Sequence, residues 1–210
     1  QAILKQEVLP SMRLLWSAGP AARATNVAGY NCSYMAITKI KDFGEILYIS
    51  MCGTGVGFSV EEKAIQNLPQ INRQTWEMLQ THVIDDSKEG WADALILGLT
   101  TWFSGKDINF DYSLLRPAGA RLKTMGGKSS GPAPLRSLLS FCRGKILNRQ
   151  GRRLSTIDVH DIACKIGECV VSGGVRRSAL ISLSDLDDIA MRDAKKGQFF
   201  NANPERRMAN

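Results

Sequence analysis

Hydrophobic positions along this chain switch repeatedly between the spacing of a helix and the spacing of a strand. Apolar residues three and four positions apart predict helices at 1–19, 76–83, 87–103, 135–146 and 156–170. Alternating or continuous apolar runs predict strands at 31–39, 46–49, 107–115 and 178–183, the last of them covered on both faces. Ser155 and Asp158 are expected to form a capping box at the start of the helix at 156–170, and Asp185 is expected to cap a short final helix that Gly197 ends. Alternation places Cys32, Tyr34 and Ala36 on one face of the strand at 31–39. This alternation predicts an α/β fold with a largely parallel sheet.

Three glycine-rich stretches, at 53–59, 123–132 and 172–178, put unusual demands on the backbone. Each combines glycine with hydroxyl side chains, and the last two add lysine or arginine. Glycine lets backbone N–H groups approach a ligand closely, and cationic side chains supply the charge that phosphate requires. The first two follow the strands at 46–49 and 107–115, where ligands gather in α/β folds. Together they indicate a nucleotide enzyme, although the three stretches need not line one pocket.

Each stretch also has a plainer explanation. The G-x-G-x-G spacing at 53–57 fits neither the dinucleotide fingerprint nor the P-loop, and a tight bend packed against a neighbour explains it equally well. The lysines of 123–132, just before a helix that opens near Pro134, favour an anion site over a flexible surface loop. Arg176 and Arg177 point in opposite directions if extended, so one is expected to reach a ligand. A solvated charge pair is the alternative.

Composition narrows the class of protein and of ligand. Of the residues, 44% are hydrophobic and 22% charged, ordinary values for a folded soluble protein. No apolar run reaches the roughly 18 residues that a membrane span needs, and no signal peptide is visible, which predicts a cytoplasmic protein without a membrane partner. The net charge of +7 suits phosphorylated ligands. Because the basic residues are scattered, small phosphorylated ligands are favoured over nucleic acid.

The five cysteines predict no metal site. No two of them have the spacing of zinc ligands, and the turn at 85–90 is typical of a helix start rather than of a metal site. Reduced, buried thiols explain most of them. Cys32, at the start of a strand, is the candidate for chemistry, with a buried inert thiol as the alternative, and Cys52 fits either interpretation. The remaining three lie on apolar helix faces and are expected in the core.

Six motifs in this order resemble the adenosylcobalamin-dependent ribonucleotide reductases, and among them the monomeric ribonucleoside-triphosphate reductases. The motifs are NC at 31–32, GVGFS at 55–59, DDSKEGW at 85–91, RPAGARLK at 116–123, GG at 126–127 with SGP at 130–132, and GGVRRSA at 173–179. The resemblance implies the first half of a ten-stranded α/β barrel, with residues 1–210 as one partial catalytic domain. We therefore interpret the chain as a piece of a longer protein.

The resemblance also implies a reaction and a set of ligands. The reaction is reduction of a ribonucleoside triphosphate at the ribose 2′ position for DNA precursor synthesis, started by an adenosylcobalamin-derived radical that passes to a cysteine. Two further cysteines supply the electrons, and Cys32 matches the first of this pair. A thioredoxin-like dithiol then reduces the pair. A deoxynucleotide effector selects the base to be reduced.

The resemblance assigns the ligand-binding residues less sharply. Lys123 and either Arg176 or Arg177 match the region that senses the effector and contacts the substrate base. The wider set of substrate- or effector-binding candidates adds three residues from the other motifs: Gly55, Gly57 and Ser130. The radical cysteine, the second reducing cysteine and most cobalamin contacts lie downstream in the family, so the remainder of the reductase chain is an expected partner.

Two alternatives stay open at this point. The same loops would serve a nucleotide-binding module that senses triphosphates without catalysis. A nucleic-acid-binding domain is the weaker alternative, and it predicts binding to oligonucleotides that falls steeply as salt is added.

Overall fold

The computed structural model describes residues 1–121, 127–172 and 179–210. Its strands are short and its helices vary from one turn to four. The helices are α1 (Met12–Ser17), α2 (Pro20–Ala24), α3 (Ile40–Met51), α4 (Glu62–Ile65), α5 (Lys88–Phe103), α6 (Ala133–Leu147), α7 (Thr156–Val171), α8 (Ile189–Arg192) and α9 (Phe199–Ala202). The strands are β1 (Cys32–Ala36), β2 (Gly55–Ser59), β3 (His82–Val83), β4 (Phe110–Asp111) and β5 (Leu180–Leu183). Two 3₁₀ turns span Asn26–Gly29 and Pro204–Met208.

The main sheet is parallel, with the strand order β1-β2-β5. In its register Cys32 lies beside Gly55, and Val56 lies beside Leu180. Beyond β5 the chain adds one more parallel bridge, between Leu180 and Ala209. A second pair, β3 with β4, is also parallel. The predicted α/β fold with parallel strands is therefore confirmed for the described residues.

The two faces of the main sheet differ in burial. Val56, Phe58 and Leu180 point toward the helices and are almost completely buried. The opposite face carries Ile181 and Leu183, whose side chains are 55% and 47% exposed. The prediction that both faces of the strand at 178–183 are covered is therefore wrong, because helices of the described chain pack against one face alone.

Helices α3, α5, α6 and α7 pack together as the core layer. Two of their starts follow the sequence closely. The Ser87 hydroxyl accepts a hydrogen bond from the Gly90 N–H at 2.9 Å and so caps α5. Ser155 and Asp158 form the predicted capping box of α7. Cysteines 142, 164 and 169 are buried in this layer as expected, and burial raises the pKa of Cys164 and of Cys169 to about 12.

Several predicted elements are wrong. Residues 46–49 lie inside α3, where Phe43, Ile46 and Leu47 form its buried side. Four apolar residues cannot distinguish a strand from one turn of a buried helix. Residues 76–83 are extended rather than helical, and they run beside 107–111.

The two ends of the chain also depart from the predicted helices. The segment before α1 forms turns instead of one helix over 1–19, since Pro10 cannot continue a helix from the preceding residues. Near the other end, Asp188 rather than Asp185 caps α8, and the Asp185 carboxylate instead accepts a hydrogen bond from the Glu62 N–H at 2.7 Å. Gly197 has a φ of 65° and lies between α8 and α9. None of the helices that the structure describes is long and apolar enough to cross a membrane.

A buried carboxylate joins the final turn of the chain to the core helices. Asp161, in α7, is completely buried. Arg206 approaches it with two nitrogens at 2.7 and 3.0 Å, and Lys145 of α6 lies 2.6 Å away. Removing one partner from such a cluster leaves uncompensated buried charge, which costs more than an exposed ion pair contributes.

Asp161→Asn is expected to lower the free energy of unfolding by about 3–5 kcal/mol, since Arg206 and Lys145 lose their shared counter-charge. Urea denaturation with a tryptophan-fluorescence readout measures this. Asp193→Asn, which removes an exposed carboxylate paired with Arg192 and Lys196, is the matched control and should leave the midpoint nearly unchanged. Equal effects of the two substitutions would contradict the role of Asp161.

The buried imidazole of His160 predicts a pH dependence of stability. Burial lowers the pKa of His160 to about 4, and its ring lies 3.0 Å from the Ser182 hydroxyl and 3.4 Å from the Cys164 sulfur. The unfolded chain binds a proton here near pH 6.5, whereas the folded chain does so near pH 4. This histidine's contribution to stability should therefore fall as the pH drops from 6.5 to 4, by up to about 3 kcal/mol.

The measurement is the free energy of unfolding in urea between pH 7 and pH 4.5, compared with the His160→Asn variant. Other groups titrate in this range, so the informative quantity is the difference between the two pH profiles. Parallel profiles would show that His160 titrates normally in the folded chain.

Candidate active site

The face of the main sheet turned away from the helices is here called the open sheet face, formed by Cys32, Tyr34, Gly55, Gly57, Ile181 and Leu183. Residues opposite one another in a parallel sheet share a face, which places the first four side by side. Cys32 is the one exposed thiol among the five cysteines. The predicted grouping of Cys32, Tyr34 and Ala36 on one side of β1 is consistent with this register. The open sheet face thus presents a thiol beside two glycines.

The interpretation of 53–57 as a loop that follows a strand is wrong. Gly53 ends α3 with a φ of 83°, and the chain enters β2 directly at Gly55. Cys32 and Gly55 therefore lie at the amino ends of their strands, not at the carboxyl ends where α/β folds usually bind ligands. The misassignment of residues 46–49 as a strand caused this error, whereas the predicted position of Cys32 at the start of a strand agrees with β1.

Hydrogen bonds on both sides hold this end of the sheet. The Gly55 N–H donates to the Asn31 carbonyl at 2.9 Å, and the Ser33 hydroxyl donates to the Gly55 carbonyl at 3.1 Å. The hydroxyl of Thr54, itself buried, is shared between the carbonyls of Tyr30 at 2.9 Å and Val27 at 3.1 Å. Cys32 therefore has a fixed backbone on each side.

Arg13 and Thr54 are the supporting residues that sequence reasoning missed. Arg13 donates to the Asn31 side chain and to the Gly53 carbonyl, both at 2.8 Å. An arginine near the start of the chain carries no local signal of such contacts. Thr54 had a weak signal, since a hydroxyl between two glycines already stood out in the stretch at 53–59.

Gly55 and Gly57 leave free space above the open sheet face. Packing within the described chain does not fill the space at Gly57. A Cβ added at Gly57 would lie 3.6 Å from both the Ser33 carbonyl oxygen and the Tyr34 ring, which is ordinary contact. At Gly55 the nearest atom, the Ala179 carbonyl oxygen, is closer, at 3.3 Å. Glycine weakens the interior of a strand, and the described contacts at position 57 do not require it.

The remaining sequence-predicted residues are not brought to this face by the described contacts. Ser130 lies just before α6, and its described hydrogen bond goes to the neighbouring Gly131 carbonyl at 3.4 Å. The predicted anion site there stays a prediction, although Pro134 removes one backbone donor from the start of α6. Lys123, Arg176 and Arg177 lie outside the described residues.

Cys52 is buried just behind the entry to β2. The Lys88 amine lies 3.7 Å from its sulfur and 3.2 Å from the Thr25 hydroxyl. Burial raises the pKa of Tyr48 to about 12, with the Cys52 thiol and Glu89 acting in the same direction. These contacts place Cys52 in the supporting wall rather than on the open sheet face.

A cavity of about 560 Å³ lies at the other end of the sheet, past the carboxyl ends of β2 and β5. Its lining includes one arginine, Arg153, and four carboxylates, from Glu62, Asp185, Asp187 and Asp188. Such a lining repels a triphosphate. Among the residues that the structure describes, no group of three or more histidine, cysteine or acidic side chains forms a metal site.

The chemistry available on the open sheet face is that of an accessible thiol. A thiol at a fixed position can donate electrons by forming a disulfide with a second thiol. The other four cysteines of the chain are buried, so such a partner must come from outside them. The adjacent glycine surface has room for a flat or extended ligand against the backbone.

The fold and several sequences match proteins of one class. A crystal structure of a B12-dependent, class II ribonucleotide reductase superposes on the whole of this chain with a TM-score of 0.85 and 26% identity, and the chain covers 36% of that structure. The adenosylcobalamin-dependent ribonucleoside-triphosphate reductase of Euglena gracilis is 34% identical over 97% of this chain. That of Lactobacillus leichmannii is 30% identical over 90% of this chain. No family model matches.

The fold is thus that of part of a class II ribonucleotide reductase. The chain belongs to the adenosylcobalamin-dependent ribonucleotide reductase family. It spans 28% of the Euglena protein and 33% of the Lactobacillus protein. The Lactobacillus alignment runs over 245 positions, more than the 210 residues of this chain, so that relative carries residues without a counterpart here.

The free space over Gly57 predicts that Gly57→Ala folds normally. Its unfolding free energy should match or exceed that of the parent by up to about 1 kcal/mol, since alanine loses less backbone entropy than glycine. Gly90→Ala is the contrasting variant, because the new Cβ would lie 2.8 Å from the Asp85 Cβ. It should cost about 1–3 kcal/mol. Urea denaturation measures both, and a Gly57→Ala variant as unstable as Gly90→Ala would show that the space is already filled.

Proposed function

We propose that this chain contributes the substrate face and one reducing thiol to an adenosylcobalamin-dependent ribonucleoside-triphosphate reductase. The observation that carries the proposal is the exposed thiol of Cys32 at a fixed position beside Gly55 on the open sheet face. Family membership supports the reaction class, and the exposure of the thiol beside Gly55 supports a role for Cys32 in that reaction. The same thiol buried in the core would not support this role.

The proposed reaction is balanced by two thiols. The ribose 2′-hydroxyl takes up a proton and leaves as water, and a hydrogen replaces it on the 2′ carbon, which is thereby reduced by two electrons. Cys32 and a second cysteine from the remainder of the reductase supply these two electrons and the two hydrogens and form a disulfide. A thioredoxin-like dithiol then restores both thiols by disulfide exchange. The exposure of Cys32 supports both steps, because substrate and reductant must each reach its sulfur.

The substrate is proposed to lie along the glycines of β2. Gly55 and Gly57 let the ribose and phosphates approach the backbone, with Cys32 at one end. The four carboxylates of the cavity at the other end of the sheet argue against that location for a triphosphate. Contacts from Ser130, Lys123 and the two arginines to the base or the deoxynucleotide effector remain part of the proposal, without described geometry.

We also propose that this chain forms about half of the α/β barrel of the complete reductase. All described strand pairs of the main sheet are parallel, and its open face is lined by partly exposed apolar residues such as Ile181. The Ser182 N–H donates to the Asn210 carbonyl at 2.9 Å, so pairing already continues past β5. Further parallel strands of the complete reductase would curve this sheet around the thiol.

Adenosylcobalamin supplies a carbon-centred radical when it is bound. The described residues do not fit it, because the open sheet face has no enclosing walls and the cavity of about 560 Å³ carries four carboxylates. The cofactor's contacts are therefore proposed to lie in the remainder of the reductase. This chain's residues are assigned to holding substrate and donating electrons.

The exposed thiol predicts that Cys32→Ser abolishes turnover, since the hydroxyl cannot form a disulfide. The test uses the product of the complete coding region and measures deoxynucleotide formation from ribonucleoside triphosphates, with a dithiol and with or without adenosylcobalamin. Turnover should require the cofactor and fall to background in the variant. Cys169→Ala, at a buried cysteine, is the control and should keep activity once its stability is checked.

Substrate binding separates the remaining outcomes. Cys32→Ser should still bind a ribonucleoside triphosphate. Gly57→Ala should bind it more weakly, because the added Cβ occupies space in which the substrate is proposed to lie. If the parent binds deoxynucleotides but forms no product, the protein is a nucleotide-sensing module.

A further inference from the structure

One guanidinium joins the two backbone segments that fix the position of Cys32. Arg13 donates through Nε to the Asn31 side-chain oxygen and through a terminal nitrogen to the Gly53 carbonyl, each at 2.8 Å. Asn31 directly precedes Cys32, and Gly53 comes two residues before Gly55, the register partner of Cys32. The side chain thus spans the amino ends of β1 and β2.

Helix α1 leaves two of its apolar side chains largely exposed. It is six residues long, and Met12 and Leu15 are 84% and 58% exposed. Burial of these two side chains therefore contributes little to docking the helix. The helix also packs against the 3₁₀ turn at Asn26–Gly29, and its residue Ser17 is fully buried. Among the described residues, both side-chain hydrogen bonds from α1 to the segments beside Cys32 and Gly55 come from Arg13.

We infer that Arg13 is a positioning residue for Cys32. Its planar fork sets the spacing of the Asn31 and Gly53 segments, and this holds the Cys32 thiol at a constant distance from the glycine surface of β2. The inference rests on the proposed role of Cys32 as a reducing thiol. A lysine at position 13 can reach one of the two acceptors but cannot reproduce the fork.

The first test is hydrogen exchange of the Gly55 amide, which donates to the Asn31 carbonyl at 2.9 Å. In Arg13→Gln this amide should exchange about tenfold faster or more, because the charge-assisted hydrogen bonds to Asn31 and Gly53 are both lost. The amide of Leu99, in the core of α5, should keep its protection. Arg23→Gln, at an exposed arginine of α2, is the matched control and should alter neither amide.

The second test separates positioning from substrate binding by steady-state kinetics on the complete reductase. Arg13→Gln should lower kcat about tenfold or more with KM unchanged, because a misplaced reacting group affects the chemical step. Arg13→Lys should recover part of both losses. A raised KM with normal kcat would overturn the inference in favour of substrate binding by Arg13.

Two further results would also overturn it. One is unchanged Gly55 exchange in Arg13→Gln, and the other is equal acceleration at Leu99, which would show general destabilisation. If the parent reductase does not turn over while Cys32 is intact, the proposed function fails instead. The exchange experiment then still decides whether Arg13 fastens the two strands.

Discussion

The pairing of strand β2 on both of its sides is the constraint on which the rest of the sheet depends. Val56 and Phe58 point into the core, so Gly55 and Gly57 must point away from it. A slip of one residue would expose the two large apolar side chains and turn the glycines inward. Burial of Val56 and Phe58 therefore fixes which residue of β1 lies beside Gly55, and so fixes the place of Cys32.

Sequence reasoning succeeded where one local signal was enough. The helix α5 and the capping box of α7 each have a cap residue followed by a long periodic pattern, and both were predicted closely. The side of β1 that carries Cys32 also followed from simple alternation. These features depend on residues within about one helical turn of each other, which is the range that a pattern can report.

The incorrect element predictions, at 46–49 and 76–83, have a common physical cause. A short apolar run fits a helix and a strand equally well. Residues 46–49 alone fit a strand, whereas Phe43 together with Ile46 and Leu47 has the spacing of a buried helix face. The exposed Trp76 belongs to a segment whose backbone bonds go to residues near Asp107, about thirty positions away. The contacts of Arg13 are equally distant in sequence, from 18 to 40 residues. Only the folded chain brings such partners together.

The two ends of the main sheet differ in charge. The chain has a net charge of +7, yet its described cavity carries four carboxylates and one arginine. A polyanionic substrate is therefore repelled from the carboxyl ends of β2 and β5, and Arg13 lies at the amino ends. The usual rule for α/β folds would have placed the ligand at the acidic end. Here electrostatics and the exposed thiol both favour the amino ends.

The start of α5 supports two regions that the family resemblance links to nucleotides. The Arg116 guanidinium lies 2.7 Å from the Asp86 carboxylate, which ties the segment at 116–121 to this turn. Two residues later, the Lys88 amine contacts Cys52, whose helix leads directly into Gly53. The residues at the start of α5 therefore contact both Arg116, in the segment at 116–121, and Cys52, which directly precedes Gly53.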